Sequence, residues 1–191
     1  MSPRKVLDVA MTAYWHADDA GVSVNSICRM ADISKPSLYR EFGNEDGLMR
    51  AALDHYIEHI LPGVFGVFSN GTTFRQTMDA LVDYACTHPT TECGCLFYKM
   101  RAVRHRLGPR TRERVDEITT RSRAFFAEFL QSRRKAGDWT SPVSRELAAR
   151  YLVDQIGFAL MQRASGDDPD EVRDTLKLAL SALDGPQDPQ P

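Results

Sequence analysis

Apolar residues recur every three or four positions along almost the whole chain, and no segment alternates with a period of two between hairpin turn signals. This spacing predicts an all-α protein. The first helix is predicted from about Arg4 to Ala17, with Val6, Ala10 and Tyr14 on one face. Later helices are predicted at about 73–87, 95–106, 110–136, 144–165 and 169–183, and the segment 186–191 reads as a disordered tail.

Two short helices are predicted close together, over 24–31 and 35–42. Ser23 and Ser34 are suitable N-caps, and Pro36 falls in a first turn, where its missing N–H is harmless. A turn of about three residues joins the helices, which is the layout of a helix-turn-helix. The apolar residues expected to lock them together are Val24, Ile27, Ala31, Ile33, Leu38 and Phe42.

The second short helix carries polar and cationic residues near its start. Lys35, Ser37, Tyr39 and Arg40 could enter a major groove, where the helix dipole also favours phosphate. The alternative is a structural three-helix bundle. Cap, turn, spacing and surface chemistry agree independently, so DNA binding is the preferred interpretation.

The segment "SVNSICRMADISKPSLYREFGNEDGL" resembles the signature of the tetracycline-repressor-like (TetR) transcriptional regulators, and the match covers about residues 5–60, with a further phrase "GCLF" at 94–97. The resemblance implies all-helical homodimers with an N-terminal DNA-binding domain and a larger C-terminal domain for ligand binding and dimerisation. It also implies phosphate contacts from Ser23, Tyr39 and Arg40, and base-edge contacts from Lys35, Pro36 and Ser37.

On this resemblance, residues 1–45 would form the helix-turn-helix domain and 46–185 the effector-binding and dimerisation domain, with a linking helix at 44–60. The proline and three glycines of 61–71 mark a module boundary. The chain departs from the family pattern at three positions. Asp32 replaces the turn glycine, Cys28 a smaller residue, and Glu45 a lysine, so that Glu45 would repel phosphate.

The charge of the chain is uneven. The formal net charge is -2, yet residues 101–135 hold eleven bases and four acids. This stretch could be a second nucleic-acid surface. A solvated helix face is preferred, because Glu113 and Glu117 can pair with neighbouring arginines and a separate apolar stripe runs through Val115, Ile118, Ser122, Phe125, Phe126 and Phe129.

No apolar run of about 18 residues would span a membrane, and the N-terminal segment has acids where a signal peptide would be apolar. A cytoplasmic protein without a membrane partner is therefore expected. We find no motif of a hydrolase, metalloprotease, P-loop or dinucleotide enzyme, so neither catalysis nor a cofactor is expected.

A wide stripe of small and apolar residues runs along the helix predicted at 144–165. It could be core, or it could form a two-fold four-helix interface with the helix at 110–136, as the family implies. The interface is preferred, because a monomeric helix-turn-helix reads too few bases. Its candidate residues are Phe126, Leu152, Gln155, Ile156 and Ala159.

Aromatic residues of the larger domain are candidate walls of an effector pocket, although each taken singly is better explained as core. They favour an apolar or aromatic small molecule. The candidates are Phe65, Phe68, Tyr84, Phe97, Tyr98, Phe125 and Trp139.

A cysteine-rich segment, "CTHPTTECGC", supplies a competing hypothesis. Cys86, His88, Cys93 and Cys95 could hold a soft metal ion, or a helix starting near residue 95 could lower a thiol pKa and create a redox sensor. Simple packing is preferred, since free cysteine is often a small buried hydrophobe. The predicted function is thus a homodimeric, ligand-responsive repressor that binds a palindromic operator.

Overall fold

The computed structural model describes residues 3–17, 22–70 and 73–185. Within those ranges there are ten α-helices, two 3-10 turns and no strand, so the predicted all-α class is confirmed. The predicted disordered tail at 186–191 lies outside the described residues. The helices are α1 (Pro3–His16), α2 (Val24–Ala31), α3 (Lys35–Phe42), α4 (Glu45–His59), α5 (Pro62–Asn70), α6 (Phe74–Thr87), α7 (Leu96–Ala102), α8 (Pro109–Ala136), α9 (Arg145–Ser165) and α10 (Pro169–Ser181).

The chain divides into two compact units. Unit 1 comprises Met1–Pro62 with Cys95–Glu117, and unit 2 comprises Gly63–Gly94 with Ile118–Pro191. The first division falls after Pro62, within the segment 61–71, and residues Pro62–Asn70 of that segment form helix α5. Pro62 suits a first helical position. A Cβ on Gly63 would lie 2.9 Å from the Tyr84 hydroxyl, so glycine permits this close approach.

Unit 1 is built around α1 and α4, which pack against each other, with α2 on α1, α3 on α4, and α7 on both α1 and α4. Its core contains Val6, Ala10, Ile27, Leu38 and Leu48, all buried. Burying a leucine or isoleucine contributes about 1.5–3 kcal/mol. Ile33 and Phe42 were expected inside but are only half-buried; Ile33 lies in the turn that precedes α3, and Phe42 is the last residue of that helix.

Unit 2 is built from α6, α9 and α10, which pack against one another. The structure corrects the predicted dimer stripe here. Phe126, Leu152, Ile156 and Ala159 are buried inside the single chain, and only Gln155 is partly exposed. These four buried side chains therefore belong to the core of unit 2.

Candidate nucleic-acid interface

Helix caps and a left-handed turn residue, all local in sequence, define the helix-turn-helix. The Ser23 hydroxyl accepts a hydrogen bond from the Ser26 N–H at 3.1 Å and so caps α2. Asp32 ends that helix in the left-handed conformation, with φ 52° and ψ 52°. It is the only non-glycine residue with positive φ among the described ones. Asp32, which stands where the family resemblance implies a glycine, thus adopts the left-handed conformation that favours glycine.

Helix α3 begins with its own serine cap. The Ser34 hydroxyl accepts from the Ser37 N–H at 3.3 Å and donates to the Ser37 hydroxyl at 2.9 Å. Pro36 lies in the first turn, as predicted. Leu38 is buried and fixes the inner face of the helix. The orientation of α3 is thus determined by one buried leucine and one capped end.

The opposite side of α3 is the surface on which the predicted DNA contacts lie. Lys35, Pro36 and Arg40 are exposed, while Ser37 and Tyr39 are partly exposed. The Lys35 ammonium lies 5.5 Å from the centre of the Tyr39 ring, a contact that contributes about 0.5–1 kcal/mol at exposed sites. The structure therefore presents a cation, a hydroxyl, a phenol and a guanidinium on one short helix, and Ser23 is exposed at the start of α2.

Glu45 is exposed in the first turn of α4. Asn44 caps this helix by accepting from the Gly47 N–H at 2.9 Å. The pKa of Tyr14 is raised, first by burial and then by the negative charge of Glu45. The Tyr14 hydroxyl is buried and has no hydrogen-bond partner among the described residues. Glu45, the carboxylate that departs from the family pattern, is therefore close enough to Tyr14 of α1 to help raise the pKa of its phenol.

The structure also shows a contact that the sequence did not predict, between the start of α4 and the start of α8. The Asp46 carboxylate accepts from the Arg110 N–H at 2.9 Å, the Thr111 N–H at 3.0 Å and the Thr111 hydroxyl at 2.6 Å. Asp46 therefore caps a helix that begins 63 residues later in the chain, at Pro109.

Two observations explain why this cap comes from a distant residue. Gly108 directly precedes α8 and has no side chain with which to cap it. A Cβ at Gly108 would come 2.4 Å from the Asp46 carboxyl carbon, so glycine leaves the space that Asp46 occupies. Burial would raise the pKa of Asp46, but the hydrogen bonds from Thr111 and Arg110 outweigh it and lower the pKa. In the sequence, the only signal for such a distant cap is that the residue before α8, Gly108, has no side chain to cap the helix.

Several arginines of the arginine-rich stretch form ion pairs or hydrogen bonds within unit 1. Arg114 contacts Asp54 at 2.5 Å and Glu117 at 2.9 Å. Arg104 forms a bidentate pair with Asp116, and Arg112 donates to the Leu107 carbonyl at 2.8 Å. The predicted pairing of Glu117 with a neighbouring arginine is present. These contacts support the solvated, internally paired face over a second nucleic-acid surface.

Three of the predicted pocket residues lie together in unit 2. The Phe125 ring centre lies 4.9 Å from that of Phe65 and 5.0 Å from that of Phe68. Phe68 also contacts Phe126 and Phe129, at 5.4 and 5.2 Å between ring centres. Phe65 is 43% exposed, so this aromatic cluster reaches the surface of the unit.

The remaining pocket candidates lie elsewhere. Phe97 and Tyr98 are in α7 of unit 1. Tyr84 stacks on His88 with ring centres 4.3 Å apart. Trp139 is buried and donates its indole N–H to the Leu183 carbonyl at 3.0 Å. An open groove of about 250 Å³ between α6 and α10 contains none of the seven candidates, and the Arg75–Asp184 ion pair lies on its wall.

The surroundings of the cysteines support the preferred interpretation, simple packing, over the alternative of a reactive site. Cys95 precedes the first residue of α7, as expected, but its thiol is buried, and burial raises the pKa. Burial also raises the pKa of Cys86. For Cys95, burial thus outweighs any lowering of the pKa by the start of α7. No candidate metal cluster in the described part of the chain contains these cysteines or His88.

Known proteins that resemble this chain include helix-turn-helix repressors and a TetR-family regulator of the same fold. No protein-family model matches the chain. It is 23% identical over 156 residues to the HTH-type transcriptional repressor KstR2 of Rhodococcus jostii, covering 82% of this chain and 76% of KstR2. It is 38% identical over 98 residues to the HTH-type transcriptional repressor ComR of Escherichia coli, covering 47% of this chain and 44% of ComR.

Among solved structures, the chain is similar to the TetR family regulator CifR in complex with a 26-base-pair operator DNA. The TM-score is 0.76 at 20% identity, with 96% of this chain and 97% of CifR covered. The chain therefore has the fold of the TetR-family transcriptional regulators, and the resemblance predicted from its signature is confirmed. None of the helices in the described ranges is both long and apolar enough to cross a membrane.

Proposed function

We propose that the chain is a DNA-binding transcriptional repressor that acts as a homodimer and reads its operator with α3. The observation that supports this proposal most is that α3 has one buried apolar face and one exposed polar, cationic face. Leu38 is buried beneath a serine-capped helix, and Lys35, Ser37, Tyr39 and Arg40 lie on the outside. A capped helix start that carries short polar and cationic side chains suits entry into a major groove. The repressor names of KstR2 and ComR and the operator complex of CifR support the same role.

The homodimer would form through the outer faces of α9 and α10. Leu147 and Phe158 are 59% and 55% exposed on α9, and Leu178 is 76% exposed on α10. Leu147 and Phe158 are three helical turns apart, so they share one face. Tyr151 lies between them and donates its hydroxyl to the Ala179 carbonyl at 2.9 Å, which brings Leu178 beside that face. Exposed apolar surface of this kind marks an association site.

The effector is proposed to be an apolar or aromatic small molecule that binds at the aromatic cluster of Phe65, Phe68 and Phe125. Edge-to-face ring contacts and partial exposure of Phe65 suit a ligand with an apolar body. Binding would change the separation of the two recognition helices and end their match to half-sites about 34–36 Å apart. Because Asp46 joins α4 to the start of α8, a movement of α8 would reach the helix that follows α3.

The experiment is a fluorescence-anisotropy titration of labelled DNA from upstream of the chain's own gene and its neighbours, beside scrambled DNA of equal length. We expect salt-dependent binding that prefers one upstream fragment. Tyr39→Ala and Arg40→Ala should weaken binding to specific and scrambled DNA alike and reduce the salt slope by about 1 each, because a lost phosphate contact releases fewer counterions.

The matched control is Arg121→Ala, which removes an exposed arginine from α8 in unit 2. Its affinity should equal that of the parent. If Arg121→Ala weakens binding as much as Arg40→Ala does, net charge and not α3 determines affinity. Absence of a preferred fragment among all the upstream DNAs, with a folded dimeric chain, would contradict the proposed role.

A further inference from the structure

A cluster of two histidines and two carboxylates lies in unit 1, on α4 and α1 and not on the proposed recognition helix α3. His55, Glu58 and His59 stand at positions i, i+3 and i+4 of α4, which places them on one helix face. Each can offer one ligand atom such that these atoms lie within 4.8 Å of one another. His55 is buried, and the other two are exposed. Neither the proposed repressor function nor the relatives assign a role to them.

Both imidazole rings are already oriented by hydrogen bonds. His55 Nε2 lies 2.6 Å from the Asp8 carboxylate of α1, and His59 Nδ1 lies 2.8 Å from the His55 carbonyl oxygen. A carboxylate and a carbonyl can only accept, so these nitrogens carry the protons. On each ring, the other nitrogen is the one that would bind a metal through its lone pair. Metal-binding histidines in proteins have this arrangement, with the second ring N–H donated to a carboxylate or backbone carbonyl.

We infer that His55, Glu58 and His59 form a binding site for a divalent transition metal, with Zn²⁺ as the best-suited ion. Two imidazoles and one carboxylate are a known zinc ligand set, which leaves one position for water. The donor atoms lie farther apart than ligands of one zinc ion, so the site must contract on binding, and Glu58 and His59 are the exposed side chains that can move. Asp8 orients His55 from outside the coordination sphere, so the metal also stabilises the contact of α4 with α1.

The test is a titration of the reduced, full-length chain with Co²⁺, followed by competition with Zn²⁺. Cobalt reports its own ligands by visible absorption, and thiolate ligation adds a sulfur-to-metal charge-transfer band. We expect one ion per chain, a spectrum without that band, displacement by Zn²⁺ and a Zn²⁺-dependent rise of the melting temperature. A charge-transfer band would assign the metal to the cysteines and overturn the proposal.

Variants identify the ligands. His59→Ala and Glu58→Gln change exposed side chains, so the fold should survive, as circular dichroism can verify. Each should weaken cobalt binding by at least tenfold and abolish the Zn²⁺-dependent rise in melting temperature. Asp8→Ala, at a 57% exposed side chain, should weaken binding about 10- to 100-fold through the loss of ring orientation. The matched control His105→Ala removes an exposed histidine outside the cluster and should change nothing. Binding that persists in both His59→Ala and Glu58→Gln would disprove the site.

Discussion

Two exposed surfaces of this chain differ in chemistry. The outer face of α3 carries Lys35, Ser37, Tyr39 and Arg40 above a buried leucine. The outer faces of α9 and α10 carry Leu147, Phe158 and Leu178. The first surface can contact water when it is free and phosphates when it is bound. The second leaves apolar area in water unless another molecule covers it, and burial of such area is worth about 25 cal/mol per Å².

The difference indicates what each surface binds. A polar, cationic surface gives salt-dependent binding to nucleic acid. An apolar surface gives salt-tolerant association, and a second copy of the same chain presents the same apolar face. A repressor that reads a palindrome needs both surfaces, because each recognition helix reads only one half-site. Breaking either surface separately should therefore produce different failures.

Phe158→Asp should have the largest effect. A carboxylate at the centre of an apolar interface is neither solvated nor paired, so dimerisation should weaken by about 3 kcal/mol, or more than a hundredfold. Specific DNA binding should fall with it, while the melting temperature of the chain at low concentration changes little. Sedimentation velocity would measure the dimer. Ala124→Asp, at an exposed site of α8, should leave the dimer intact.

Leu152→Asp supplies the contrast within the same helix. Leu152 is fully buried in the single chain, so the aspartate should unfold unit 2 and not merely separate two folded protomers. A folded monomer for Leu152→Asp, together with an intact dimer for Phe158→Asp, would return the interface to the stripe that the sequence suggested.

Asp46→Ala should have the next largest effect, and it changes unit 1 without altering a proposed DNA contact. Loss of a helix cap typically costs about 0.5–2 kcal/mol, and we expect a loss of stability in that range. Asp174→Ala, an exposed aspartate of α10, is the matched control and should cost little. Thermal and denaturant unfolding would measure both variants.

The lowered pKa of Asp46 predicts that the stability it contributes depends on pH. The pKa of Asp46 is lower in the folded chain than in the unfolded one, so its contribution is present above the unfolded pKa, about 3.9, and is lost as the pH falls through the folded pKa. The stability difference between the parent and Asp46→Ala should thus be constant near neutral pH and shrink below about pH 4. A difference that persists unchanged into strong acid would show that the charge of Asp46 is not involved.

Much of unit 1 could be predicted because its signals are local. Ser23, Ser34 and Asn44 each cap the helix that follows within three residues, and Asp32 tolerates the left-handed turn. The Asp46 cap could not be predicted, since donor and acceptor are more than 60 residues apart. Periodicity also failed on α9, because this helix is apolar on several sides. Leu152 and Phe158 are both large hydrophobes, and only packing against α6 and α10 decides which is inside.

Glu45→Lys should have the smallest effect. It replaces an exposed carboxylate at the start of α4 with the cation that the family has there, and DNA affinity should rise about two- to fivefold at low salt. The helix dipole disfavours a lysine at this end by about 0.3–1 kcal/mol, so the melting temperature should fall slightly while DNA binding improves. Unchanged affinity at low salt would show that Glu45 points away from the duplex.

The proposed recognition role of α3 is tested most directly by the ratio of specific to non-specific DNA affinity for Lys35→Ala. If α3 reads bases through Lys35, the variant should bind scrambled DNA nearly as well as the parent but lose about 1–3 kcal/mol of discrimination. Lys135→Ala, at an exposed lysine in the last turn of α8, controls for the lost charge and should keep the ratio. A ratio that Lys35→Ala leaves unchanged, with a folded dimer, would contradict the assignment of α3 as the recognition helix.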